Sequence, residues 1–347
     1  MKKYTKKIMK ILTLGTLAAS LSLTGGCGKD DEKTSVSLIF KCQNQFWETP
    51  KTGAEDAGKE LDMNLSFDTP ETEDVKEQAK RVKDAVSRKV DAIIIAPTAD
   101  DDELADALKY AQNNGIKIIT IDSDIREEVR SSCISTNNTH AGAIAARQAA
   151  EILGGKGEIG IVIHLETATN AQERKGGFVS QIDEYNQPED KDEEETTDKL
   201  NIVATESGNG NISDSKDAAK KIISENPDVK LLFATSQSTT IGTCMAVDEL
   251  GKADSVQVIG FDSFEGKEGS KSSNEYLDSG VLDGFILQNP YNEGYLGVRY
   301  ARDLIDGQSI ATAIDTGATL VTKDNINNSD IQLIMNPTKL MEDLNNG

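Results

Sequence analysis

The chain has 347 residues, with 59 acidic against 37 basic side chains and a formal charge of −22 at pH 7. A surface so acidic repels phosphate backbones and anionic lipid, which excludes nucleic acid as a partner and a basic patch as a membrane contact. Four cysteines at wide spacing exclude a disulfide framework and a metal cluster.

Residues 1–26 read as a signal peptide. Lys2, Lys3, Lys6, Lys7 and Lys10 precede an uncharged apolar run from Ile11 to Leu23, and Thr24-Gly25-Gly26 lead to Cys27. The run is too short for a spanning helix and has the small-residue exit of a secretory signal. A cysteine directly after the small residues resembles a bacterial lipoprotein signal, which implies that Cys27 is lipidated and anchors the chain to the outer face of the membrane. The competing reading is a plain secretory signal with an incidental cysteine. Cleavage removes five lysines and no acid, taking the formal −22 to about −27. Residues 27–35 are a polar tether, and no later stretch approaches the ~20 apolar residues of a transmembrane helix. The remaining ~310 residues exceed what one core usually serves, so two lobes are expected. Cys42, Cys133 and Cys244 sit among apolar or small residues and read as buried thiols, with one optional disulfide.

The body alternates strands and helices. Ser35–Lys41 is β-rich, Trp47–Leu61 has helical spacing, and Asn64–Phe67 is a short strand. A helix from Glu71 to Lys89 places Val75, Ala79, Val82 and Val86 on one face. Asp91–Ala96 and Ile116–Ile121 are apolar throughout, as strands buried on both faces of a parallel sheet are, with a helix from Asp101 to Asn113 between them. The rhythm restarts with a helix at Thr139–Leu153, the strand Glu158–His164 and a helix near Ala171. Strand Ile202–Thr205, helix Ser215–Glu225, strand Leu231–Ala234, helix Thr240–Leu250 and strand Val256–Gly260 follow. A strand at Gly280–Leu287 and a helix at Tyr291–Asp306 come last. This pattern predicts an α/β fold of two doubly wound parallel sheets with a cleft at the carboxyl ends of their strands. The acidic stretch 186–199 breaks the rhythm and reads as a solvated insertion.

The polar residues that follow each strand form one set: Asn44 beside Phe46 and Trp47, Asp122 and Ser123, Asn138, Gln172 and Arg174, Ser236, Asp262 and Gln288. Carboxylates and amides pair with hydroxyls, and aromatic faces cover a sugar ring's C–H surface. One basic group among them serves a phosphorylated ligand poorly. Each has a duller reading: Trp47 as core, Asp122 and Asp262 as caps, Arg174 as a brace, and Asn138 as the cap of the next helix first and a ligand contact second. His140 and His164 pair with no Ser or Cys at a recognisable spacing, and the glycine clusters are no P-loop, so neither catalysis nor a cofactor or metal is expected.

At these strand ends the chain resembles the periplasmic sugar-binding proteins of the ribose/galactose type, the class I solute receptors of ABC importers. The resemblance is carried by Asn44-Gln45-Phe46-Trp47, Ala96-Pro97-Thr98, Ile119-Thr120-Ile121-Asp122, Thr136-Asn137-Asn138, Gln172-Glu173-Arg174, Val258-Ile259-Gly260-Phe261-Asp262 and Ile286-Leu287-Gln288-Asn289-Pro290. It implies a type I periplasmic-binding-protein fold of two Rossmann-like lobes, 36–136 plus 289–315 and 137–288 plus 316–347. Three crossovers, near Thr136, Gln288 and Ile314–Thr319, would join them. By position, Asn44 and Asp122 would bind hydroxyls while Phe46 and Trp47 stack on the ring, with Gln172, Ser236, Asp262 and Gln288 completing the site. Ribose-type members carry Arg where this chain has Ser123 and Gln172, and Asn where it has Ser236, so ribose itself is not specified. The implied function is an extracytoplasmic, monomeric, non-enzymatic receptor delivering a small polyhydroxylated solute to an ABC permease. A receptor for a membrane histidine kinase or chemoreceptor is the alternative.

Overall fold

The computed structural model describes residues 33–187, 199–266 and 269–337. Cys27, the core of the acidic insertion and the last ten residues lie outside them. The first half builds β1 (Ser35–Ile39), α1 (Glu48–Glu60), β2 (Asn64–Phe67), α2 (Val75–Ser87), β3 (Ala92–Ile95), α3 (Asp102–Asn113), β4 (Lys117–Ile121) and β5 (Ser132–Ser135). The second runs α4 (Asn138–Leu153), β6 (Gly157–Ile163), α5 (Thr169–Tyr185), β7 (Leu200–Ser207), α6 (Ile212–Glu225), β8 (Val229–Ala234), α7 (Gln237–Glu249), β9 (Gln257–Phe261), α8 (Ser273–Ser279) and β10 (Gly284–Leu287). The chain ends with α9 (Pro290–Ile305), β11 (Ala313–Asp315), β12 (Thr319–Val321) and α10 (Ser329–Met335).

These strands form two six-stranded sheets, ordered β11-β5-β4-β3-β1-β2 and β12-β10-β9-β8-β6-β7. All ladders are parallel except β10 with β12. The chain passes from one sheet to the other after β5, after β10, and between β11 and β12. Burial explains why the central strands stay in place: every residue of β3 and β10 is buried, so each face meets a helix layer. Glycines let the helices beside the crossings approach closely. A Cβ at Gly294 of α9 would stand 1.8 Å from the Pro50 carbonyl oxygen of α1, and one at Gly142 of α4 would stand 2.0 Å from the Arg174 carbonyl oxygen of α5.

Three departures from the periodicity reading concern helix caps. The helix expected from Glu71 begins only at Val75, because Asp74 caps it by accepting from the Lys76 and Glu77 backbone N–H groups. Residues 69–74 are thereby left free to approach the cleft. Asn137, not Asn138, caps α4, its side chain accepting from His140 N. The strand expected from Gly280 starts at Gly284; Gly280 is the left-handed C-cap of α8, whose start is a capping box of Ser272 and Glu275 that the strand reading passed over. Cys42, Cys133 and Cys244 are buried free thiols. Among the described residues no helix is long and apolar enough to cross a membrane.

Candidate functional site

The carboxyl ends of both sheets face one cleft of about 930 Å³. Its walls repeat one device. Asp122 follows β4 and Asp262 follows β9, and both take a left-handed backbone, with φ of 60° and 65°. That conformation costs most residues about 1 kcal/mol or more, and Asp is among the few that adopt it. Each is held by the strand beside it: Asp122 N donates to the Ile134 carbonyl at 3.2 Å, and Asp262 N to the Ile286 carbonyl at 2.9 Å. Neither is the N-cap residue of a helix, although the Asp262 carboxylate also accepts from the backbone of Gln237, the first residue of α7.

Around Asp122 the donors converge on one oxygen. Lys41 Nζ stands 2.7 Å from Oδ2, Ser123 Oγ donates to it at 3.0 Å, and Asn170 Nδ2 donates at 3.1 Å from the opposite sheet. Burial alone would raise this carboxyl, but the charges of Lys41 and Arg174 and the hydrogen bonds hold it below the ordinary aspartate range. Asp262 has thinner support. Gln288 Nε2 donates to its Oδ1 at 2.8 Å, and burial pushes it up to about 6 against the pull of Arg174.

Arg174 is a brace. Its Nε donates to Asn138 Oδ1 at 2.8 Å, one terminal nitrogen to the Thr235 carbonyl at 2.8 Å, and the other to Gln288 Oε1 at 2.7 Å. The guanidinium also lies 4.1 Å from the centre of the Phe261 ring. It thereby joins the first turn of α4, the end of β8 and the end of β10 beside the cleft.

The aromatic wall is layered. Trp47 is buried, stacks on Phe40 at 5.0 Å, and meets Phe46 edge-on at 5.0 Å. It is both core and cleft lining. Asn44 is exposed, and its side chain accepts from Phe46 N and donates to Cys42 Sγ at 3.2 Å.

Of the expected site residues, Asn44, Phe46, Trp47, Asp122, Arg174, Ser236, Asp262 and Gln288 line the cleft. Three do not. Ser123 is buried behind Asp122 and serves it. Asn138 is buried between Arg174 and Glu173, donating to Glu173 Oε2 at 3.2 Å. Gln172 turns outward and donates to the Glu166 carbonyl at 2.7 Å and to its carboxylate at 2.8 Å. Helical geometry is the reason: on α5, Asn170, Ala171 and Arg174 share the cleft-facing side, and Gln172 stands about 100° around from Ala171.

Among the cleft residues that the strand-end reading does not reach are Lys41, Glu73, His164 and Asn170. Lys41 is a charge at the end of an apolar run, the one available signal. Glu73 was hidden by the early helix start. His164, expected to be unpaired, bridges the lobes: its Nε2 is 2.8 Å from Glu73 Oε1 and its Nδ1 is 3.0 Å from Ser236 Oγ. Burial would raise Glu73, but the hydrogen bond and charge of His164 and the charge of Lys41 hold it low. The row Ser236–His164–Glu73 is invisible to sequence spacing because its members are far apart in the chain. Ser236 Oγ is engaged as the N-cap of α7, within 3.3 Å of Thr239 N, and Ser238 Oγ contacts the same imidazole nitrogen at 3.1 Å.

The sequence model of the periplasmic binding protein domain matches residues 36–309. A D-ribose/D-allose-binding protein of Pseudomonas aeruginosa is 25% identical over 315 residues, covering 88% of this chain and 92% of that protein. A carbohydrate transporter solute-binding protein of Agrobacterium radiobacter, solved with D-arabinose, is 28% identical with a TM-score of 0.77, covering 88% of this chain and 99% of the other. A chain solved as the XylFII–LytSN complex is also 28% identical, with a TM-score of 0.74 over 84% of this chain and 99% of its own.

Proposed function

The chain belongs to the periplasmic binding protein domain family, and on that footing we propose that it captures a small polyhydroxylated solute, a monosaccharide, for an ABC importer. The observation that carries this reading is the divided cleft. Asn44, Phe46, Trp47 and Asp122 stand on one sheet's side, and Arg174, Ser236, Asp262 and Gln288 on the other's. A ligand that satisfies both sets favours the closed arrangement of the lobes, so its differential affinity drives closure about the three crossings. Carboxylates, amides and hydroxyls beside aromatic rings suit sugar hydroxyls and ring faces. The sugars named for the similar proteins support this class. The chain binds without turning its ligand over, acts as a monomer outside the cytoplasm, and is tied to the membrane through acylated Cys27. In this reading its lobes are 36–136 plus 289–315 and 137–288 plus 316–347.

A second reading, ligand sensing through a membrane partner, is favoured by one observation: a similar chain was solved in complex with another protein. The two readings share the cleft.

The test is a thermal-shift screen with D-ribose, D-allose and D-arabinose, followed by titration monitored through Trp47, the chain's only tryptophan. A true ligand at 100 times its dissociation constant stabilises by ~2.7 kcal/mol and changes the emission. Absence of any shift with these sugars and a wider set of pentoses, hexoses and polyols would overturn the sugar reading.

A further inference from the structure

Just past the end of β1, Lys41 reaches beneath Asp122, with only 4% of either side chain exposed. Its Nζ lies 2.7 Å from Asp122 Oδ2 and 2.5 Å from Ser123 Oγ. An ammonium group has three donors. Two are committed to the protein, and the third belongs to a group that lines the cleft.

The carboxylate shows the complementary asymmetry. Lys41, Ser123 and Asn170 all bond Oδ2, and among the described residues no donor is bonded to Oδ1. A spare N–H and a spare carboxylate oxygen therefore stand side by side on one wall. Directly after this aspartate stands the neutral Ser123, and the cation comes from beyond the end of β1 as a point charge and not as a planar fork.

We propose that Lys41 is a specificity-determining residue which, with Asp122, reads a vicinal diol of an uncharged sugar. Lys41 donates to one hydroxyl oxygen, and Asp122 Oδ1 accepts from the neighbouring hydroxyl. The proposal rests on the sugar-binding reading above and narrows its ligand class. An uncharged ligand fits because the Lys41 charge is already balanced by Asp122. Glu48, Glu71, Glu73 and Glu265 line the same cleft, opposed by Lys51 and Arg174. A ligand carboxylate or phosphate at this wall would meet a cation already neutralised and acids nearby.

The experiment is calorimetric titration of the native chain with D-ribose, D-allose and D-arabinose, then with the singly deoxygenated analogues of whichever binds best. Lys41→Met keeps the aliphatic stem and removes every donor; Lys41→Gln keeps a neutral one. Lys41→Met should weaken binding about 10- to 100-fold, the range for a hydrogen bond from a charged group, with Lys41→Gln in between. Native protein should lose affinity when either of two adjacent hydroxyls is removed. In Lys41→Met one of those two losses should vanish while the one read by Asp122 persists. Thermal unfolding checks the fold, and if Lys41→Met is unfolded by its unpaired Asp122, the same deoxygenation pattern is read from Lys41→Gln, with a reduced loss at the Lys41 hydroxyl. Native affinity in both variants, or retention of both losses in both, would overturn the proposal while leaving sugar binding standing. Failure of the native chain to bind any of these sugars would instead strike the sugar reading itself, and this proposal with it.

Discussion

Asp122 and Asp262 occupy the same place in two repeated sheets, with the same left-handed backbone, yet hold their protons differently. Asp122 has a buried ammonium at 2.7 Å and is held low. Asp262 has one side-chain amide donor at 2.8 Å, a backbone donor from Gln237, a guanidinium occupied with three neutral acceptors, and a carboxyl pushed up to about 6. Backbone position sets where a carboxylate points, and the neighbours supplied by other strands set what it is at neutral pH. One wall of the cleft is thus a firm anion, and the other is within reach of protonation.

Removing each carboxylate should expose that asymmetry most strongly. Asp122→Ala leaves the buried Lys41 without its anion, with Ser123 as its remaining partner, and should cost about 3–5 kcal/mol of stability as well as ligand affinity. Asp262→Ala should cost distinctly less stability. Equal losses by urea unfolding would mean the two walls are energetically alike.

The pH dependence sharpens the contrast. The Asp262 carboxyl is raised in the folded state to about 6 and returns to about 3.9 on unfolding. The folded chain therefore binds the extra proton between those values, so this residue adds stability as pH falls from about 6 to about 4, on the order of 2 kcal/mol. Asp122, depressed in the folded state, acts oppositely: its contribution is present above about 3.9 and is lost as pH falls further. Asp262→Asn should make the stability profile between pH 4 and 6 shallower, leaving the share of Asp283, which burial also raises to about 6, and should leave the acid limb in place. An unchanged profile would remove Asp262 as its source.

Across the cleft the expected effects are smaller. Glu73→Gln replaces the carboxylate facing His164 Nε2 with a neutral amide, and should reduce ligand affinity about 3- to 10-fold through a less stable closed state. Calorimetry with a ligand from the screen measures this. Smallest of all, Gln172→Ala should change affinity by less than about twofold and stability by no more than about 0.5 kcal/mol, since its bonds go to Glu166 at the surface. A large effect on binding would bring Gln172 back into the site.

Much of the architecture was legible from residue pattern. Runs such as Ala92–Ile95 can only be strands covered on both faces, and the polar residues after such strands can only meet at one end of a sheet. Asp122, Asp262, Trp47 and Gln288 were found that way. The failures were local. Gln172 was placed by adjacency in sequence, while a helix turns by 100° per residue and brings Asn170 inward instead. Glu73 was lost because charge and apolar spacing continue past a helix start, whereas the true start depends on Asp74 bonding two backbone N–H groups.

What the sequence determined by itself was the alternation of elements, the net acidity of the chain, and the strand ends as the place for a site. Each follows from short-range periodicity or from summed charge. Only the tertiary structure decided which side chains neutralise which. Lys41 and Asp122 follow different strands, His164 meets Glu73 from the other lobe, and Arg174 gathers the end of β8, the end of β10 and α4. Such pairings depend on distances of a few ångströms between residues tens of positions apart, and no local pattern encodes them. They are also what gives two identical aspartates opposite proton affinities.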